Sequence, residues 1–256
     1  MNSGRSERPG EFPGGRRPLS SENRTYFRSP RAPGDRSMSS SSPAPASVRT
    51  SVRIPLRFSD GFRVDAQVFT FDGLADGQEH VALGLGDYEH TNTPLVRLHS
   101  ECLTGDVFGS ARCDCGPQLR DAAEQISRVG GYLVYLRQEG RGIGLYNKLD
   151  AYALQDQGLN TYEANEALGL PSDGRDYTAA AQMLNTLGVR RIELLSNNPD
   201  KAKQLSAHGI EIERRVPTGV FVTPTNLRYL QAKVTVTGHQ ILLDGSGAPA
   251  FPAAAA

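Results

Sequence analysis

The residues of this chain best suited to chemistry are its cysteines. All three, Cys102, Cys113 and Cys115, fall inside "HSECLTGDVFGSARCDCGPQL" and form a C-x10-C-x-C pattern. Thiolates are good ligands for zinc. Three of them with no obvious fourth ligand match the count of a catalytic site. Such a site keeps one position open for water and lowers the pKa of that water to about 7. Structural zinc closes its shell with four ligands, and His99 is the nearest candidate, so a Cys3His structural site is the plain alternative. A second alternative treats the cysteines as small buried hydrophobes. It fits poorly with Asp106, Arg112 and Asp114 interleaved among them.

His99-Ser100-Glu101 also spells H-x-E, the first half of the zinc deaminase signature, but its second half, P-C-x-x-C, is absent. A second cluster follows in "YLRQEGRGIGLYNKLDAYALQDQG". Gly140, Gly142 and Gly144 gather at the start of a predicted helix, where free backbone N–H groups could meet phosphate. G-R-G-I-G is neither G-x-G-x-x-G nor a Walker sequence, and glycines also serve a tight strand-to-helix turn. Arg137, Glu139 and Arg141 in the same turn point more strongly to a ligand, because such charges are costly to place there without one. Tyr146, Leu149 and Tyr152 share helical spacing, which by itself reads as a core stripe.

These clusters need a frame. "SVRIPLRF", "FRVDAQVFTF", "HVALGLGD" and "PLVRLHS" are short runs rich in β-branched or aromatic residues and separated by Gly and Asp, which predicts four strands from about Val52. The period then changes. Leu119, Ala122, Ala123, Ile126 and Val129 predict a helix ended by Gly130-Gly131. "YLVYLR" reads as a buried strand, and helices are predicted over "IGLYNKLDAYALQDQG", over "YEANEALGL" and along Ala180, Met183, Leu184 and Leu187. "RIELLS" and "IEIERRV" read as strands around a helix in "NNPDKAKQLSAHG", which opens on Asn and Pro. A strand-rich front with helices and strands alternating behind it predicts one α/β (α+β) domain over residues 49–243.

Composition bounds the rest. Residues 1–49 carry nine Arg and no Lys against four acids, about +5, which leaves about −5 for the remainder of a formally neutral chain. Anion binding by the folded part must therefore come from local geometry. Residues 1–48, rich in Ser, Pro, Gly and Arg, are predicted to be a disordered solubilising leader, and residues 244–256 a disordered tail. No run is apolar enough to span a membrane, there is no secretory h-region, and three cysteines argue against a disulfide framework. The expectation is a cytoplasmic protein with neither nucleic acid nor membrane as partner.

Taken together, "HSECLTGDVFGSARCDCG", "RQEGRGIGLYNKLDAYALQDQGLNTYEAN", "SDGRDYTAAAQML" and "LLSNNPDK" resemble GTP cyclohydrolase II, the zinc enzyme that commits GTP to riboflavin synthesis. The likeness extends over about residues 52–243. It implies one Zn2+ per subunit on Cys102, Cys113 and Cys115, and GTP contacts from Arg97, Leu98, His99, Ser100, Glu101, Gln118, Glu139, Gly140, Arg141, Thr161, Ser196 and Lys201. It also implies catalytic roles for Tyr152, Asp173 and Arg175. Ser196 stands where the family has Thr and keeps the hydroxyl. Near the end, Tyr229, Lys233 and His239 match the family, while its Thr, Lys and Met are lost.

The implied reaction takes GTP and water to 2,5-diamino-6-ribosylamino-4(3H)-pyrimidinone 5′-phosphate, formate and pyrophosphate, with Mg2+ on the triphosphate. The family assigns Arg175 as nucleophile toward the α-phosphate and Asp173 as its proton acceptor. Electrostatic clamping by Arg175 is the competing role, since a guanidinium is normally no nucleophile. Glu139 or Glu101 is the candidate reader of guanine N1 and N2. A homodimer is implied by the family. Two other functions stay open: a paralogue that stops at a formamide product, and a non-catalytic zinc or nucleotide-binding module.

Overall fold

The computed structural model describes residues 45–171, 173–237 and 241. The expected leader up to residue 44, the tail from 244 and His239 lie outside the described residues. Strand β1 (Ser47–Arg57) begins two residues before the expected domain start, because Ser47 and Val48 already pair with Asp72 and Phe71 of β2 (Arg63–Asp72). Strands β3 (Val81–Leu85) and β4 (Leu95–Ser100) complete the predicted front. Behind it follow α1 (Leu103–Asp106), α2 (Cys115–Val129), β5 (Gly131–Leu136), a short 3-10 turn (Glu139–Gly142), α3 (Leu145–Asp156), α4 (Thr161–Ala167) and α5 (Thr178–Thr186). The order closes with β6 (Arg191–Leu195), α6 (Pro199–Ala207), β7 (Glu211–Val216) and α7 (Leu227–Thr237). No helix among the described residues is long and apolar enough to cross a membrane.

All seven strands join one sheet in the order β1-β2-β3-β5-β4-β6-β7. Pairing is antiparallel from β1 across to β5 and parallel from β5 through β4 and β6 to β7. The parallel part of the sheet is covered on both faces, as expected where parallel strands are joined by helical crossovers, while β1 is largely exposed. On one face Val96, Leu98, Val134, Ile192 and Leu194 pack with Ala180, Met183 and Leu184 of α5 and Leu205 of α6. On the other, Leu95, Leu133 and Leu195 pack with Ala122, Ala123 and Ile126 of α2. The period of two in β4 therefore turns Leu95 toward α2 and Val96 and Leu98 toward α5, which leaves Arg97 and His99 on the α2 face.

The parallel half sets the place for chemistry. Strands β4, β5 and β6 run the same way, and their C-terminal ends release "ECL", "RQEGRG" and "SNNPDK" side by side. Crevices outside the carboxyl ends of such strands are the usual ligand sites of α/β sheets. Helix α2 confirms its predicted stripe only in part. Ile126 is fully buried, but Val129 is 52% exposed, because it is the last residue of the helix before Gly130 turns the chain into β5. Ile126→Ala is expected to cost about 3 kcal/mol in urea unfolding. Val129→Ala is expected to cost less than about 0.5 kcal/mol. Equal costs would contradict this placement of the α2 face.

Candidate active site

The cysteines meet where α1 and α2 begin. Cys102 directly precedes α1, and Cys115 is the first residue of α2, so the starts of these two helices carry the cysteines to one place. The three sulfurs lie within 4.8 Å of one another, and those of Cys102 and Cys113 are 3.7 Å apart. A tetrahedral zinc site with Zn–S bonds of about 2.3 Å has an S···S edge of about 3.8 Å. The donor set thus fits a zinc ion, and all three thiols are free. Gly105 makes the approach possible: a Cβ there would stand 2.7 Å from the Cys113 sulfur and 3.1 Å from that of Cys102. Hydrogen bonds from the Cys113 and Cys115 thiols, joined by the charge of Lys148, hold the Cys102 thiol far below its ordinary pKa.

His99 is not part of this group. Among the described residues the cluster with metal-ligand geometry is Cys102, Cys113 and Cys115 alone. The His99 Nε2 faces Asp106, 3.1 Å from each carboxylate oxygen, and its ring stacks on Tyr135 across the β4–β5 register. Burial pushes the ring's pKa down, so the neutral imidazole donates to Asp106. Asp106 Oδ2 also accepts from the Cys102 backbone N–H at 3.0 Å and the Tyr135 hydroxyl at 2.9 Å. His99 and Tyr135 thus brace the loop that carries Cys102, and a Cys3His shell is not what this geometry offers.

The glycine turn has an unusual backbone. Gly140 and Arg141 both lie in the left-handed region, with φ 61° and 63°. Among the described residues Arg141 is the one non-glycine with positive φ. Its guanidinium stacks over Tyr162 and Tyr229, with centroid distances of 4.9 and 5.9 Å, and one terminal nitrogen is buried without a partner. The Arg141 carbonyl accepts from Gly174 N–H at 3.0 Å, which ties the turn to the D-G-R segment. There Arg175 makes a two-pronged pair with Asp173, including Nε to Oδ1 at 2.8 Å. Burial opposes the Arg175 charge, but Asp173 outweighs it and raises the guanidinium's pKa.

Cations gather at the strand ends. Arg97 on β4 donates to Gln118 of α2 at 2.8 Å, and its Nε is buried without a partner. Lys201 follows Asn198, whose side chain caps α6 through Asp200 N–H, and donates to the Leu98 carbonyl at 2.7 Å. Burial, then the charges of Arg175 and Arg97, pull the Lys201 pKa well below that of a free lysine. The Thr218 hydroxyl is likewise buried without a partner.

Every site residue named from the sequence lines this one pocket, except Asp173, which stands behind Arg175. Tyr146 and Leu149 are exposed, so no core stripe runs along α3; its buried positions are Lys148 and Ala151, one turn before and next to Tyr152. Sequence reasoning passed over Lys148, Asn165, Asn197 and Thr218, all pocket-lining. For Lys148 a signal existed: it lies four residues before Tyr152, on the same helix face. Lys233 of α7 reaches Asp114, between Cys113 and Cys115, at 3.2 Å.

Residues 48–217 match the family described as GTP cyclohydrolase II. The chain is 52% identical over 192 residues to the GTP cyclohydrolase-2 of Vibrio cholerae, an alignment covering 75% of this chain and 97% of that one. Against the GTP cyclohydrolase-2 of Psychromonas ingrahamii the identity is 49% over 195 residues, or 76% of this chain and 96% of the relative. A riboflavin biosynthesis protein RibBA from Bacillus cytotoxicus is 56% identical over 169 residues, 66% of this chain but 43% of that longer protein. Matches of this length run through the cysteines, the E-G-R turn and Lys201, and the chain belongs to the GTP cyclohydrolase II family.

Proposed function

We propose that this enzyme hydrolyses GTP to the diaminopyrimidinone 5′-phosphate, formate and pyrophosphate, using zinc on Cys102, Cys113 and Cys115. The observation that carries the reading is a single pocket with thiols at one end and buried cations at the other. When bound, the metal supplies a Lewis acid that makes water nucleophilic toward C8 of guanine near neutral pH. Tyr152 lines the same pocket as the three cysteines. Burial raises its phenol's pKa, so the group stays protonated and can donate to the leaving ring nitrogen. The guanidinium of Arg112 lies over the Tyr152 ring at 4.8 Å and holds it against the cysteine loop.

At the far end, Arg97, Arg141, Arg175 and Lys201 suit a triphosphate. Their burial costs would be offset by a polyanion, and the unpaired nitrogens of Arg97 and Arg141 are donors in waiting. Asp173 is bonded to Arg175 where a proton leaving the guanidinium would go, which supports the family's nucleophile role for Arg175. The raised pKa of Arg175 favours the second reading, a charged clamp on the α-phosphate. An intact-mass search for a GMP adduct during turnover separates the two. Both oxygens of Glu139 already accept from Lys148, Gly140 N–H and Leu103 N–H, whereas Glu101 spends one oxygen on Arg137. Glu101 is therefore the better reader of guanine. The same proposal carries Mg2+ on the triphosphate, a homodimer, a cytoplasmic location and a catalytic domain of residues 49–243.

The direct test is incubation of the zinc-loaded protein with GTP and Mg2+, with formate and pyrophosphate measured together. Equal amounts are expected, and neither product from bound GTP would leave only a binding module. Tyr152→Phe should lower formate release about 100-fold or more while pyrophosphate release persists; equal loss of both would join the two ends into one step. Glu101→Gln should reduce the preference for GTP over inosine triphosphate by roughly 10- to 100-fold in kcat/KM, and an unchanged ratio would remove Glu101 from this role. Gly105→Ala should leave the far-UV circular dichroism intact but drop bound zinc well below one per chain; full zinc occupancy would show that the loop can yield.

A further inference from the structure

We propose that Lys148 is a positioning residue of the metal centre, whose ammonium fixes the Cys102 sulfur and weakens that sulfur's donation to a bound ion. The inference rests on the reading of the three cysteines as metal ligands. It goes beyond that reading by assigning a role to a residue outside the ligand set.

The geometry is specific. Lys148 lies on α3 one turn before Tyr152, and its side chain is only 10% exposed. Its Nζ donates to Cys102 Sγ at 3.2 Å, to Thr104 Oγ1 at 3.0 Å and to Glu139 Oε1 at 2.8 Å. An ammonium has three donors, so each is placed. Glu139 closes the circuit, because its Oε2 accepts at 2.7 Å from Leu103 N–H, the residue after Cys102. The backbone turn is fitted to the stem as well: a Cβ at Gly140 would stand 3.1 Å from Lys148 Cβ. Sulfur, ammonium, carboxylate and backbone thus form a closed ring beside one ligand.

Glu139 offsets part of the Lys148 charge, so neutralisation of the thiolate is only one part of the contribution. What remains is a directed, charge-assisted hydrogen bond to one sulfur. Such a bond draws electron density from the thiolate, lowers its donation to the metal and leaves the ion a stronger Lewis acid. It also holds the sulfur in place before the ion arrives. Partners of this kind typically change metal affinity by about 10- to 100-fold when removed.

The test uses the full chain with Lys148→Met, which keeps length and removes the donors, and Lys148→Arg, which keeps charge and donors on a different frame. Zinc affinity is measured by competition with a chromophoric chelator, and Co2+-loaded protein reports the thiolate-to-metal charge-transfer band. The Met variant is expected to bind zinc about 10- to 100-fold more weakly, with its cobalt band moved to longer wavelength. The Arg variant should lie between it and the wild type in both. If the Met variant fails to fold, the Arg variant carries the test, and a band identical to wild type overturns the proposal. Equal affinity and equal band in wild type and Met variant overturn it while leaving the metal reading intact. No metal uptake by the wild type overturns the metal reading itself, and this inference with it. A purely structural lysine would lower stability without moving the band.

Discussion

Everything at the site hangs on the parallel pairing of β4 with β5. Their register sets His99 opposite Tyr135 and Ser100 opposite Leu136, so the two chains leave the sheet side by side and in step. From one exit comes Cys102, and from the other Glu139 and the left-handed turn. Asp106 fastens the first by accepting from Cys102 N–H, His99 and Tyr135, and Glu139 fastens the second to the first through Leu103 N–H. A one-residue slip in this pairing would put His99 and Tyr135 on opposite faces of the sheet and dismantle the brace.

Burial then explains the electrostatics. A pocket with this many cations held by backbone carbonyls and amides is expensive in isolation, because desolvation works against every charge. Arg175 recovers its charge from Asp173, while Lys201, bonded to the Leu98 carbonyl and lying over the Tyr177 ring, is pulled down by burial and its cationic neighbours. The asymmetry is informative. One cation is prepared in advance, and the other is left to be completed by an anion, which is the arrangement expected of a site whose ligand brings negative charge.

Much of this was legible in the chain alone, and the reasons are local. Cysteines spaced C-x10-C-x-C, a glycine-rich turn after an apolar run, and Asn-Pro at a helix start each encode their geometry within a few residues. The existence of the α2 and α5 helices follows from apolar spacing for the same reason, and that of α6 from its Asn-Pro start. Other features are set at a distance. The bond between Lys148 and Cys102 spans 46 positions, and the one between Lys233 and Asp114 spans 119, so no window of sequence contains either. His99 looked like a fourth ligand because it is near in sequence, yet the alternation of β4 points it at Asp106. Helix α7 was not foreseen because "KVTVT" is β-branched, a composition that favours strands until tertiary packing decides.

The left-handed Arg141 has a consequence for how this enzyme can be improved. A non-glycine residue in that conformation costs roughly 1–2 kcal/mol, and glycine would relieve it. The same position supplies the guanidinium between Tyr162 and Tyr229 and a carbonyl that anchors Gly174. Glycine would keep the carbonyl and lose the guanidinium. If Arg141 holds the triphosphate as proposed, a library screened for heat resistance alone would drift toward a tougher but less active protein at residue 141. On that reading the strain marks a place where durability and activity pull against each other.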